Sequence, residues 1–226
     1  MPPNEVRTID WTSYRPEDFL MFAPRTYWRL VELHHEAWWP LHLLTLAAGA
    51  AAGAGLALRR PLAVRVGTLV VALACGWVAA AFVAERLVPI FWPAQALTAL
   101  LAVAALGLAL GSLGLVARPT GWQRLASLGL LAFALILYPG LGQLSGRPAS
   151  QAEVFGLSPD PTVLAVLAWV GATCAAGPVG RWGRRLAGGA AAAAALFSAG
   201  TLALMGSWQA LVPLAAVVVF GCMVRR

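Results

Sequence analysis

Apolar residues fall into seven runs separated by short polar or proline-containing breaks, at approximately residues 40–58, 62–83, 94–116, 122–140, 161–178, 186–205 and 208–224. A helix that crosses a bilayer needs about 20 apolar residues, and each run reaches or approaches that length. The pattern predicts an all-α fold, an integral membrane bundle of about seven transmembrane helices. Ahead of the first run, Pro24 opens a segment to Ala37. There Tyr27, Leu30, Val31 and Trp38 recur at helical spacing, with Arg25, Arg29, Glu32 and Glu36 on the other side. Such a segment lies in the membrane interface as an amphipathic helix. Trp38-Trp39-Pro40 then marks entry into the bilayer, as aromatic belts do. Two parts follow from this reading: an extracytoplasmic tail and amphipathic helix over 1–37, and a transmembrane domain over 38–226.

Composition agrees with lipid as the solvent. The chain of 226 residues is 60% hydrophobic and 11% charged, with a mean hydropathy of +0.76, whereas soluble domains carry about 25% charged residues. Glycine pairs four apart, Gly49 with Gly53 and Gly107 with Gly111, are the spacing that lets membrane helices approach closely. Arg60-Pro61 and Arg118-Pro119 open two turns alike, a spacing that any series of helical hairpins would give.

The charges predict an orientation. Arg59, Arg60, Arg65, Arg118, Arg124, Arg181, Arg184, Arg185, Arg225 and Arg226 cluster at alternate breaks and at the C-terminus, ten arginines with no acid among them. The opposite side holds six arginines against all nine acids, a net of −3. Lys/Arg excess marks the cytoplasmic side, so the expectation is N-terminus out and C-terminus in. The net charge of +7 is thus a topology signal rather than a nucleic-acid surface. All sixteen cations are arginine, which excludes a retinal Schiff base on lysine. Cys75, Cys174 and Cys222 are isolated in apolar runs and suggest neither a dithiol nor a zinc site. No cleavable signal peptide is expected, because the first apolar run begins behind a mixed-charge tail.

Candidate chemistry collects at the outer ends of the first five runs. His34, His35 and His42 fall within nine residues, and on one helix Glu32, His35, Glu36, Trp39 and His42 would share a face. His42 stands just inside the hydrocarbon, where an ionisable group usually faces a partner or a cavity. A haem held by two histidines would need a second histidine on another helix, and none exists. The segment from Glu85 and Arg86 through Trp92 to Pro93 carries two prolines, Pro89 and Pro93, and cannot be a regular helix, with Gln95 and Thr98 following. Tyr138-Pro139-Gly140 breaks the fourth run and leads to a long outer loop containing Gln151 and Glu153. Asp160 before Pro161 reads as a helix start, with the aspartate as its side-chain cap. There is no H-E-x-x-H, G-x-S-x-G or phosphate-loop pattern.

The stretch Asp18-Phe19-Leu20-Met21-Phe22-Ala23-Pro24-Arg25-Thr26-Tyr27, the Trp39-Pro40 entry, the Pro89 loop and the run from Glu153 to Thr162 resemble a family of small bacterial multi-pass membrane proteins of unknown function, often labelled permease. The resemblance covers essentially the whole chain and is most specific over Glu153–Thr162. It implies residence in the bacterial inner membrane and brings no established substrate, cofactor or catalytic residue. In that family the positions of His34, His35 and His42 are more often amide or apolar.

The expected protein is therefore transporter-like or small-molecule-binding, with an outward-facing polar site. His42, Glu85, Arg86, Gln95 and Glu153 are its candidate ligand-binding residues, with Trp39, Trp92 and Tyr138 around them. His42, Glu85 and Glu153 are expected to converge on one cavity. Arg86 would serve an anionic ligand, and the carboxylates a cation or proton. The competing expectation is a non-catalytic accessory subunit, its Gly/Ala-rich faces meeting partner subunits or a second copy of the chain. A lipid- or quinone-modifying enzyme comes third. Membrane lipids are the one partner the composition requires.

Overall fold

The computed structural model describes residues 20–118 and 121–224. Most of the polar N-terminal tail, Pro119-Thr120 and the terminal pair Arg225-Arg226 lie outside the described residues. The chain is all-helical apart from one two-stranded sheet. Helix α1 covers Pro24–Ala37, α2 Leu41–Ala57, α3 Pro61–Leu87, α4 Ala94–Gly111, α5 Trp122–Ser145, α6 Pro159–Ala172, α7 Gly177–Leu204 and α8 Trp208–Val224. Strands β1 (Leu115–Ala117) and β2 (Thr173–Ala175) pair antiparallel, with Val116 opposite Cys174.

Helices α3, α4, α5 and α7 are each long and apolar enough to cross a membrane. Helices α1 and α2 meet at 89° and together make a fifth candidate, while α6 and α8 are shorter. The right angle follows from the sequence pattern. The amphipathic α1 turns Tyr27, Val31 and His34 inward, whereas α2 is apolar on all sides and suits a position along the membrane normal.

Prolines explain the irregular helices. Helix α5 widens to π-helical turns over Phe133–Leu137, directly before Tyr138-Pro139. A proline ring clashes with the carbonyl four residues back and offers it no N–H, which displaces the ladder by one residue. Helix α3 is likewise π-helical over Val78–Leu87, ahead of Pro89. In that stretch the Val88 N–H reaches back to the Val83 carbonyl at 2.9 Å.

The centre of the bundle is α6. Every residue from Glu153 to Thr173 is buried, so this segment meets protein on all sides, with α3, α5, α7 and α8 packed round it. Trp169, fully buried, donates its indole N–H to the Thr68 hydroxyl of α3 at 2.9 Å. Helices α4 and α7 pack most closely: a Cβ at Gly107 would stand 2.6 Å from the Ala187 nitrogen and 2.8 Å from the Gly183 carbonyl. Gly107 is thus required for backbone contact, as the small-residue spacing predicts.

Two arginines of the basic end have a second duty. The buried Arg124 donates to the Leu56 and Ala57 carbonyls at the end of α2, at 3.2 and 2.5 Å. Arg184 donates through Nε to Val170 and Thr173 at the end of α6, at 3.1 Å each. Both satisfy carbonyls that a helix end leaves without partners. The turn after α2, the β1–β2 sheet and the α6–α7 connection thereby share one end of the bundle.

Candidate functional site

At the opposite end the chain from Glu153 to Thr162 folds onto itself before α6 begins. The Val154 carbonyl accepts from the Leu157 and Ser158 amides at 3.1 and 2.9 Å. The Thr162 hydroxyl accepts from the Gly156 amide at 2.8 Å and donates to the Ser158 carbonyl at 2.7 Å. Gly156 has φ of +79°, and a Cβ there would lie 2.8 Å from the Thr45 side chain. Only glycine answers both conditions. With the backbone polar groups satisfied locally, this irregular segment can sit inside protein at the membrane boundary.

The segment carries two carboxyl groups into the protein. Glu153 is 3% exposed and Asp160 is 2% exposed. The Tyr27 hydroxyl of α1 donates to Glu153 Oε1 at 2.9 Å, and the Tyr138 hydroxyl of α5 donates to Asp160 Oδ2 at 3.0 Å. Ser198 of α7 faces the Asp160 carboxyl. Glu153 Oε2 is buried and has no hydrogen-bond partner. Beside Tyr27, Asp160 and Ser198 lies a cavity of about 20 Å³, otherwise walled by Leu87, Leu97, Phe197 and Leu202 among others. That space admits a single water-sized species. Burial, and after it the charge of Asp160, pushes the Glu153 carboxyl up to about 8.

The helix-start expectation for this segment is met at Pro159, but the capping role of Asp160 is corrected. Ser158 is the N-cap residue, makes no side-chain cap bond, and Asp160 stands inside the first turn with its carboxyl turned to Tyr138. A buried tyrosine hydroxyl on a neighbouring helix outcompetes the local amides.

Arg147 is the cation whose charge acts on both acids. It is half-buried in the loop between α5 and α6, stacked 3.4 Å over the centre of the Trp28 ring, and bonded to the Gln209 side chain. Its Nη1 has no hydrogen-bond partner. The loop and α1 are also joined where Glu32 accepts from Ser150 at 3.1 Å and Gln151 at 3.4 Å, while pairing with Arg29 at 2.9 Å.

The residues expected to form one site divide into three groups. Glu153 and Tyr138 belong to the buried cluster. His42 lies instead at the α1–α2 corner, its ring 6.2 Å from His35 and 4.5 Å from Trp39. Glu85, Gln95, Trp92 and Trp39 are exposed, and Arg86 is half-exposed. Among the described residues, no hydrogen bond or ion pair joins His42 or Glu85 to Glu153. His34 is wholly buried against Phe82, its two ring nitrogens unpartnered. Burial lowers both His34 and His35 to about 4, helped by the charge of Arg86 on His34 and by His42 on His35. Both are therefore neutral at pH 7. Among the described residues no three His, Cys, Asp or Glu side chains are grouped to hold a metal ion.

Tyr27, Arg147, Asp160 and Ser198 complete the cluster and were not foreseen. Asp160 could have been found from the same argument applied to Glu153, as an acid in an apolar run without a neighbouring cation. Tyr27 reads only as a member of the apolar stripe of α1, because its partner lies 126 residues away. Comparisons of the chain with known protein families, characterised proteins and solved structures gave no match.

Proposed function

We propose that this is a transporter-like membrane protein of seven spans, N-terminus out, whose outward-facing polar site binds and releases a proton at the Glu153–Asp160 pair. A bacterial inner membrane is the setting that the family resemblance implies. The observation that carries the proposal is the pair itself: two acids in a fully buried segment, one with an unpartnered oxygen. Ionisable groups are kept in such surroundings at a cost and commonly mark ion or proton pathways. Two neighbouring buried carboxyl groups hold one proton far more readily than they release both. The 20 Å³ cavity suits a water that would pass the proton on, and it is too small for an organic substrate.

The accessory-subunit reading is favoured by a different observation. The larger cavities, of about 670, 690 and 610 Å³, are walled almost entirely by apolar residues along the sides of the bundle. Gly189 and Gly200 on α7 also have open space where a side chain would be.

Reconstitution separates the two. Proteoliposomes with an internal pH dye and an imposed potential should acidify or alkalinise faster than empty vesicles, and Asp160→Asn should abolish the difference. No flux from wild type, together with a stoichiometric protein partner in native membranes, would overturn the transport reading. Single cysteines test the orientation: one at Ser150 should react with an impermeant reagent from outside whole cells, and one at Arg60 should not.

A further inference from the structure

Two buried polar atoms near the acid pair have no partner, and they are complementary. Arg147 Nη1 is a donor without an acceptor, and Glu153 Oε2 becomes, once its proton is lost, an acceptor without a donor. They stand six residues apart on one loop. Native proteins rarely leave such groups orphaned, so each asks for an explanation. With Tyr27 donating to Oε1, the oxygen free to carry the proton of a neutral Glu153 is Oε2.

We propose that Arg147 is the transferable counter-charge of Glu153: when Glu153 gives up its proton, the guanidinium leaves Trp28 and Gln209 and pairs with Oε2. The inference rests on reading Glu153 and Asp160 as a proton site. The proton leaves to the outer side, and no covalent bond other than O–H is made or broken. An ionised carboxylate buried beside Asp160 is costly unless paired. The groups facing it are Tyr27 from α1, Tyr138 from α5, Asp160 from α6 and Arg147 from its own loop. The α7–α8 side brings Ser198, Thr201 and Gln209, all uncharged. Arg147 is the single cation in that set, and it interacts electrostatically with all four other ionisable members.

The loop is built to allow the change. Gly146, in the left-handed region at φ +75°, immediately precedes Arg147, and the arginine is held in place by an aromatic face and a neutral amide rather than by an acid. Trp28 belongs to α1, as does Tyr27. Withdrawal of the guanidinium therefore exchanges one tie between α1 and the loop, the stack on Trp28, while the Tyr27 bond to Glu153 and the Glu32 bonds to Ser150 and Gln151 stay in place.

Fluorotryptophan-labelled full-length protein in nanodiscs tests this with two signals. The Trp28 fluorine resonance, assigned by its loss in Trp28→Phe, reports whether the cation sits on the ring. The infrared carbonyl band of protonated Glu153, assigned by its loss in Glu153→Gln, reports the proton. The expected result is a Trp28 resonance that shifts with the same pH midpoint as the carbonyl band and is flat over that range in Glu153→Gln. A Trp28 resonance that stays fixed while the band titrates overturns the transfer of Arg147 and leaves the acid pair standing. A shift that persists unchanged in Glu153→Gln overturns it too. The absence of any titrating carbonyl band would remove the proton site itself, and this inference with it.

Discussion

Replacing Tyr27 by Phe removes one oxygen from a side chain that is 4% exposed and touches the acid pair directly. The ring stays, and with it the edge contacts to Trp28 and Phe82 at 4.8 and 6.1 Å. What is lost is the 2.9 Å donor to Glu153 Oε1, which leaves both carboxyl oxygens without a partner. The Glu153 carboxyl is 3% exposed, so loss of its donor should cost about 1–3 kcal/mol. For a chain of this length each kcal/mol corresponds to roughly 2–4 °C in Tm. Because the Tyr27 bond favours the ionised acid, the variant should also push the Glu153 carboxyl further up. Thermal unfolding of detergent-solubilised protein gives the first quantity, and the infrared titration gives the second. A Tyr27→Phe protein with unchanged Tm and an unchanged Glu153 midpoint would show that α1 does not seal the acid pair, and the site as described would fall.

The contribution of Glu153 to stability should fall as pH rises from about 4.5 to about 8. Unfolded Glu153 loses its proton near 4.5, while the folded protein keeps it to about 8, so the unfolded state binds fewer protons across that window. Glu153→Gln should flatten this slope, and an unchanged slope would refute the assignment. His34 and His35 work in the opposite sense. Unfolded they take up protons near 6.5, and folded only near 4, so their contribution is lost as pH falls from about 6.5 to about 4, and His34→Phe should reduce that loss in a denaturation series. Gly107→Ala sets a Cβ 2.6 Å from backbone and should cost about 1–3 kcal/mol or more. Gly129→Ala, with nothing within 4 Å, should be neutral or gain up to about 1 kcal/mol by helix propensity. Equal effects of the two alanines on Tm would contradict the α4–α7 backbone contact.

The hydrophobic pattern by itself determined the helical membrane bundle, because the absence of water in hydrocarbon forces long apolar runs into helices. It also determined the amphipathic helix α1, the breaks at Pro40, Pro61 and Pro89, and the close approach at Gly107, whereas the break expected at Pro139 is not one, since α5 continues through π-helical turns to Ser145. Each of these depends on residues near in sequence or on a property of one helix. The site was legible only in part. Glu153 and Tyr138 were identifiable as polar groups with no local reason to be there. Asp160 was misread, since a local rule explained it and gave no cause to look further. The union of Tyr27, Tyr138, Glu153, Asp160 and Ser198 was decided by tertiary structure alone. Their pairings cross up to 126 residues, and no periodicity encodes which helix end meets which. The same holds for Arg124 and Arg184, which count as topology charges in the sequence and in the fold also hold helix carbonyls. Burial completed the division. Glu85 and Glu153 look alike as acids beside apolar runs, yet one is exposed and the other enclosed. What separates them is the side of its own segment on which each stands relative to the rest of the bundle, and that depends on the packing of the whole bundle.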